Sequence, residues 1–273
     1  MSFGYGNEYG VKTGKGKGKP VDGEQREERK MWENSLQREE KQKREAGLAG
    51  TFVPHLRYDR AEPFPLVGIG YTLYEETRKS PSCRRIIEAP PGGVAIEYAF
   101  YYDFDIQHLY DLEHAFVYLD GEGKITGVES SFHGKFLNSM VEGVTEYEEN
   151  HPVLFVQPGK HALLPAPEYF QLVIDRNDAC NKNAGEAGFL ISSMFEGRLF
   201  TNQELDRKVK EYIRRNYAFE PAWEFTDKSP DGRSTEELLM PYEELDLMIV
   251  ERLSAWSEKI LETTEQIAQA ANE

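Results

Sequence analysis

From Phe52 onward, apolar and polar positions fall into short runs rich in aromatic and β-branched residues, broken by Pro, Gly and Asp. Residues 67–74, 94–102, 113–119, 127–133, 153–157 and 170–174 have the length and composition of strands. Between the third and fourth runs, Asp120-Gly121-Glu122-Gly123-Lys124 supplies the positive-φ residues that a hairpin needs, so neighbouring strands are expected to pair antiparallel. This spacing predicts an antiparallel β-sandwich core.

After residue 200 the period changes to that of helices. Thr201-Asn202-Gln203-Glu204 reads as a capping box ahead of Leu205, Val209 and Tyr212 or Ile213 on one face. Leu245, Ile249, Leu253, Trp256, Ile260 and Ile267 form a second apolar stripe, to be laid on the sheet or against a second copy in a homodimer. At the other end, residues 1–20 are low in complexity and predict disorder. Residues 22–46 are strongly charged, with Met31, Trp32 and Leu36 as their few apolar groups, which suits either a lone surface helix or a solvated, partner-dependent segment. The expected organisation is therefore a charged arm over 1–46, a β-sandwich over 47–200 and a helical segment over 201–273 packed on it, a mainly β fold with C-terminal α. The arm and the last helix are the expected contacts for a scaffold partner.

Charge narrows the partners. Lys+Arg of 32 against Asp+Glu of 48 leaves a net charge of −16, which disfavours nucleic acid or an anionic membrane and suits cationic ligands. Cys83 and Cys180 are far apart and lack metal-ligand spacing, so a disulfide framework and a structural zinc site are not expected. The absence of an apolar leader or a membrane-length run makes a soluble cytoplasmic protein the expectation. No phosphate-cradling glycine loop, nucleophile elbow or zinc-protease helix is present, and Gly68-Ile69-Gly70 reads as close sheet packing.

The chemistry concentrates in residues 103–114, Asp-Phe-Asp-Ile-Gln-His-Leu-Tyr-Asp-Leu-Glu-His. Alternation along a strand projects Asp103 and Asp105 together, and a short connection then brings back His108, Asp111 and Glu113. Glu113 and His114 fall on opposite faces, with Glu113 assigned to the pocket. His133 ends the next strand, and His161 follows the Pro158-Gly159-Lys160 turn. A lone strand-end His or Asp is ordinarily a loop cap. Together, acidic and imidazole groups at this density call for a positive charge, so Asp103, Asp105, His108, Asp111 and Glu113 are the candidate ligands of a divalent cation. Ca²⁺, Mg²⁺ or Mn²⁺ suit the carboxylates, and the imidazole leaves Zn²⁺ or Fe²⁺ open. His133 and His161 are candidate acid–base groups, or groups that orient the ligands. His151 reads as a turn residue, and His55 as lying outside the pocket.

These residues resemble a known pattern. His108-Leu109-Tyr110-Asp111-Leu112-Glu113-His114, then Ser131-Phe132-His133-Gly134, His151-Pro152 and Gly159-Lys160-His161, is similar to the core of necrosis- and ethylene-inducing peptide-like proteins and to a related vacuolar-sorting-type family. The former are secreted β-sandwich cytolysins whose acidic pocket holds a divalent cation and engages a sphingolipid sugar headgroup. The first His, the Asp and the Glu of their Gly-His-Arg-His-Asp-Trp-Glu motif match His108, Asp111 and Glu113. An upstream Asp matches Asp103 or Asp105, and later histidines match His133 and His161. Gln107, Tyr110 and Leu112 depart from the motif, so the resemblance implies an inherited pocket without toxin activity.

Three functions follow as expectations. The first is a divalent-metal-binding module that recognises a polar, glycan- or phosphate-bearing ligand. The second is a metal-dependent hydrolase in which His133 or His161 moves protons near a metal-activated water. The third is an assembly protein with a stabilising cation.

Overall fold

The computed structural model describes residues 22–174 and 176–270, with side chains over 26–174 and 176–263. The chain separates into two compact units, Met1–Arg44 and Glu45–Glu273. Helix α1 (Asp22–Phe52) runs through the first unit into the second, with Met31 and Trp32 exposed. The expected disorder of residues 1–20 lies outside the described residues.

Strands β1 (His55–Asp59), β2 (Gly68–Tyr74), β3 (Arg78–Lys79), β4 (Ile86–Ile87), β5 (Val94–Phe104), β6 (Leu109–Leu119), β7 (Ile125–Phe132), β8 (Lys135–Asn138), β9 (Tyr147–Glu148), β10 (His151–Val156) and β11 (Leu163–Leu164) precede helix α2 (Gln203–Tyr217). Then come β12 (Phe225–Thr226), β13 (Leu239–Pro241) and helix α3 (Tyr242–Ala270). Two mixed sheets carry the second unit. One has the order β13-β2-β5-β6-β7-β8, and the other the order β11-β10-β1-β12, with β9 also on β10.

Chain neighbours pair antiparallel, as the hairpin spacing requires. In the β6–β7 turn the Asp120 carboxylate accepts from the backbone of Glu122 and Lys124, and Gly123 takes φ 80°. Two pairs of strands distant in the chain are parallel instead, β1 with β10 and β13 with β2. Long connections bring these strands together, so no hairpin dictates their direction. Residues 170–174 are not a strand: Pro167 opens a 3₁₀ helix over Pro167–Leu172, and Leu172 and Ile174 lie exposed with no strand beside them. The α2 cap falls one residue later than the capping box suggests, with Asn202 accepting from Leu205 N at 2.9 Å.

Strand β5 is buried on both faces. Its register sets the two sides of the sheet: Gly70 pairs with Ala99 and Tyr102 with Asp111. One side carries Ala95, Glu97, Ala99 and Tyr101. The other carries Ile96, Tyr98, Phe100 and Tyr102. Helix α3 lies on β2, with Leu245, Ile249, Leu253 and Ile260 fully buried, so its stripe is spent within the chain; the Ile267 side chain lies outside the described residues. The seat is tight because Gly68 and Gly70 lack side chains. A Cβ on Gly70 would come within 2.7 Å of Leu245 and 3.1 Å of the Tyr242 backbone.

Backbone on one side of that contact cannot yield as a flexible side chain would. Gly70→Val is therefore expected to cost about 1–3 kcal/mol by overpacking, measured by urea unfolding. An unchanged midpoint would show that α3 does not sit directly on these glycines.

Candidate functional site

Strand β6 outlasts its partner. It pairs with β5 along its length, but β7 joins it only from Ala115 onward, leaving residues 109–114 with one edge free of strand. That edge is partly met by other groups: Leu109 N donates to Gly188 O at 2.8 Å, and His114 N donates to Ser131 Oγ at 2.6 Å. Here a cavity of about 560 Å³ opens, walled by His108, Asp111, Glu113 and His114 on β6 and its approach. Phe136, Ile191, Met194 and Phe195 give it an apolar side, and Cys83 and Arg84 line it as well. A strand edge exposes both faces of the strand. Glu113 and His114 therefore both line the cavity, although alternation puts them on opposite sides, and the expectation that only one would do so is corrected.

Beneath the acidic wall lies His161, fully buried, its ring stacked on Tyr102 at 3.8 Å and edge-on to Phe64 at 5.5 Å. Nδ1 is 3.1 Å from Asp111 Oδ2, and Nε2 is 3.6 Å from Glu62 Oε1. Burial opposes a charged ring, but the two carboxylates outweigh it and push the imidazole up to about 9. His161 is thus a cation at neutral pH. Its neighbour Lys160 pairs with Asp105, whose carboxylate also accepts from the backbone of Gln107 at 2.5 Å and His108 at 3.2 Å. Burial alone would raise Asp105, but His108 and Lys160 hold it below the usual range.

Glu113 has no such partner. Burial, and then the charge of Asp111, push its carboxyl up to about 8, while Ser131 Oγ donates to it. Nearby, His108 Nδ1 and His161 Nε2 are buried without a hydrogen-bond partner. Tyr110, His133 and His161 hold positive φ of 59°, 48° and 56°, a conformation that costs a non-glycine residue free energy.

Not every expected ligand joins this group. Asp111 shares a face with its cross-strand partner Tyr102, so Asp103 must lie on the other side of the sheet. There it takes Arg252 of α3 at 2.8 and 2.5 Å and the Tyr101 hydroxyl at 3.0 Å. The joint projection of Asp103 and Asp105 is corrected accordingly: β5 ends at Phe104, and Asp105 turns inward to cap the following loop. His133 and Gly134, both at positive φ, form the two-residue β7–β8 turn. Burial and the Lys160 ammonium hold the His133 imidazole below its ordinary value. Neither His133 nor His161 is among the residues that line the cavity.

Among the described residues, the histidine, cysteine and carboxylate groups with ligand atoms already within 4.8 Å of one another are Cys83–Glu97–His114 and His55–His151–Glu236. Sequence reasoning passed over both, because strand pairing assembles them from distant segments. In the first, Glu97 accepts from Tyr74, Ser80 and Ser82, and Ser82 Oγ lies 2.8 Å from His114 Nε2. Ser82 has one proton and gives it to Glu97, so His114 Nε2 carries the proton between them. Glu97 approaches that same nitrogen, at 3.9 Å, whereas a nucleophilic triad needs the acid at the other. Burial raises the Cys83 thiol to about 11, so it is a poor nucleophile.

No family model matches the chain, and no curated protein matches it. Among solved structures it is similar to Necrosis and Ethylene inducing Protein 2 from the causal agent of cocoa's Witches Broom disease. That match has 24% identity over 55% of this chain and 87% of the other, with a TM-score of 0.30. It is also similar to NLPPya in complex with glucosamine, at 18% identity over 57% and 90% of the two chains and a TM-score of 0.29. The same protein in complex with mannosamine matches at 20% identity over 57% and 90%, with a TM-score of 0.29.

Glu113 binds its proton more tightly folded than unfolded, since its value rises from 4.5 to about 8. The stability this proton confers is complete below 4.5 and is lost as pH rises through about 8. Glu113→Gln keeps the shape without the titration. It should gain on the natural sequence by on the order of 1 kcal/mol or more between pH 5 and 8, read from urea unfolding at several pH values. A constant difference would mean that Glu113 is ionised throughout.

Proposed function

We propose that this chain binds a small polar, hydroxyl-rich ligand of the glycan class in the β6-edge cavity, through a divalent cation held by Asp111, Glu113 and His108. The observation that carries the reading is the cavity wall itself, where Asp111 and Glu113 stand together and Glu113, which accepts from Ser131, has no ion-pair partner among the described residues. A cation there would let Glu113 ionise and would supply a charge to which ligand hydroxyls coordinate.

The five-residue ligand set does not fit a single ion, because Asp103 is bound to Arg252 on the other face of the sheet and Asp105 to Lys160. The narrower set shares one cavity wall, and His108 has an orphaned nitrogen there, but the three ligand groups do not lie within 4.8 Å of one another, so side-chain rotation would have to bring them onto an ion. Mixed oxygen and imidazole donors favour Mn²⁺, with Ca²⁺ the alternative. His161 and Lys160 then act as positioning residues, fixing Asp111 and Asp105 from behind. The apolar side, Phe136, Ile191 and Phe195, suits the C–H face of a sugar ring. About 560 Å³ is in the range of small-ligand sites.

A hydrolytic reading has one observation in its favour. Glu113 keeps its proton to about pH 8 and is thus able to donate it to a leaving group, a role that passes to it from His133 and His161.

The test is calorimetric titration of Mn²⁺, then of monosaccharides at saturating Mn²⁺. Asp111→Asn and Glu113→Gln should each weaken Mn²⁺ at least about 10-fold and abolish sugar binding, with circular dichroism confirming the fold. Mn²⁺ affinity unchanged in both variants would remove the site. Turnover of a glycoside panel by the natural sequence, lost in Glu113→Gln, would replace the binding reading with the hydrolytic one.

A further inference from the structure

A second group of ligands lies on the other sheet. His55 opens β1, His151 opens β10, Glu148 sits on β9 opposite His151, and Glu236 lies in the 3₁₀ turn Glu236–Leu238 that leads into β13. We propose that His55, His151 and Glu236, with Glu148 beside them, form a binding site for a divalent transition metal of the zinc class.

Three observations support this. The ligand atoms of His55, His151 and Glu236 already lie within 4.8 Å of one another, and small side-chain rotations close that to the roughly 3.4 Å edge of a tetrahedral zinc site. His151 Nδ1 is 2.8 Å from the Val53 carbonyl, which only accepts, so this nitrogen bears the proton and Nε2 presents its lone pair. That is the arrangement by which metal-binding histidines are held. The His55 and His151 rings lie nearly parallel, 11° apart with centroids at 4.1 Å, so the two imidazoles are held side by side at one place.

Glu236 completes the donor set, and Glu148, which pairs with Arg57, stands beside it. His55 Nδ1 is 2.6 Å from Glu148 Oε2, and Nε2 is 2.9 Å from Glu236 Oε1. Each ring nitrogen donates there only while it bears a proton. A metal on Nε2 would stand in place of the hydrogen between that nitrogen and Glu236 and take over the Glu236 oxygen. Two imidazoles select a zinc-class ion over Ca²⁺ or Mg²⁺. The group is reachable, with His55 and His151 half-buried and Glu236 exposed, and His55, Glu148 and Glu236 line a cavity of about 260 Å³ with room for the ion and a water. Because Glu236 adjoins β13 of the six-stranded sheet and the histidines belong to the other, the bound metal would clamp the two sheets.

This site is independent of the β6-edge cavity, and the experiment keeps them apart. Chelator-treated Glu113→Gln protein is titrated with Zn²⁺ by calorimetry and with Co²⁺ by visible absorption. One equivalent of Zn²⁺ should bind, raise the melting temperature and, as Co²⁺, give a tetrahedral ligand-field band. Adding His151→Ala or Glu236→Gln should weaken Zn²⁺ at least about 100-fold, beyond what loss of an outer partner causes. Cys83→Ser should leave it unchanged. Glu236 is exposed, so its variant tests the ligand role without disturbing the core. Affinity unchanged in both ligand variants, or lost in Cys83→Ser, would overturn the assignment. Neither result bears on Mn²⁺ at Asp111 and Glu113.

Discussion

A crowd of buried carboxylates has to be neutralised, and two consecutive residues meet most of that demand. Lys160 and His161 follow Gly159 in the turn after β10 and reach the acidic end of the six-stranded sheet. Lys160 takes Asp105, and His161 takes Asp111 and Glu62. Removing one partner of such a pair leaves an uncompensated charge in a low-dielectric interior, which costs far more than a surface ion pair returns. The turn therefore fixes the sheets relative to one another at this end. Gly159 permits the approach: at φ 66° its Cα lies so close to Ile106 that a Cβ would meet that side chain at 3.0 Å.

The cavity follows from this arrangement and from a mismatch of strand lengths. Where β7 stops short, β6 presents an edge, and the segment around Gly188 and Ser192 closes only part of it: Leu109 N reaches Gly188, and Ser192 N reaches the Tyr110 hydroxyl. Asp111 is neutralised from behind by His161. Glu113 has no ion-pair partner among the described residues, and burial and the charge of Asp111 raise its carboxyl. Packing, strain at Tyr110 and His161, and electrostatics thus point to the same few residues.

Much of this was legible in the sequence. Residues 113–119 and 127–133, with Asp120 to Lys124 between them, announced β6, its hairpin and β7, and the stripe from Leu245 to Ile260 announced α3. That Asp111, Glu113 and His108 line one cavity was legible as far as they share one short segment at the start of β6. Asp103 was misplaced because alternation along a strand says which residues share a face, but not which face the next strand's residues share with them; the register does. His55, His151 and Glu236 were invisible for a related reason. A parallel β1–β10 pair and a 3₁₀ turn near residue 236 bring them together, and no local pattern encodes a pairing across so many residues. The density of acidic groups reads in sequence as a demand for a bound cation; that Lys160, Arg252 and His161 pair with Asp105, Asp103 and Asp111 appears only when distances are known.

A protonated His161 neutralises the buried carboxylates behind the cavity. Nitrogen-15 NMR of labelled imidazole reads this charge at the ring itself. His161 is expected to keep both ring protons at neutral pH and to titrate near 9. A His161 ring that is neutral at pH 7, titrating at or below the ordinary histidine value of about 6.5, would contradict it.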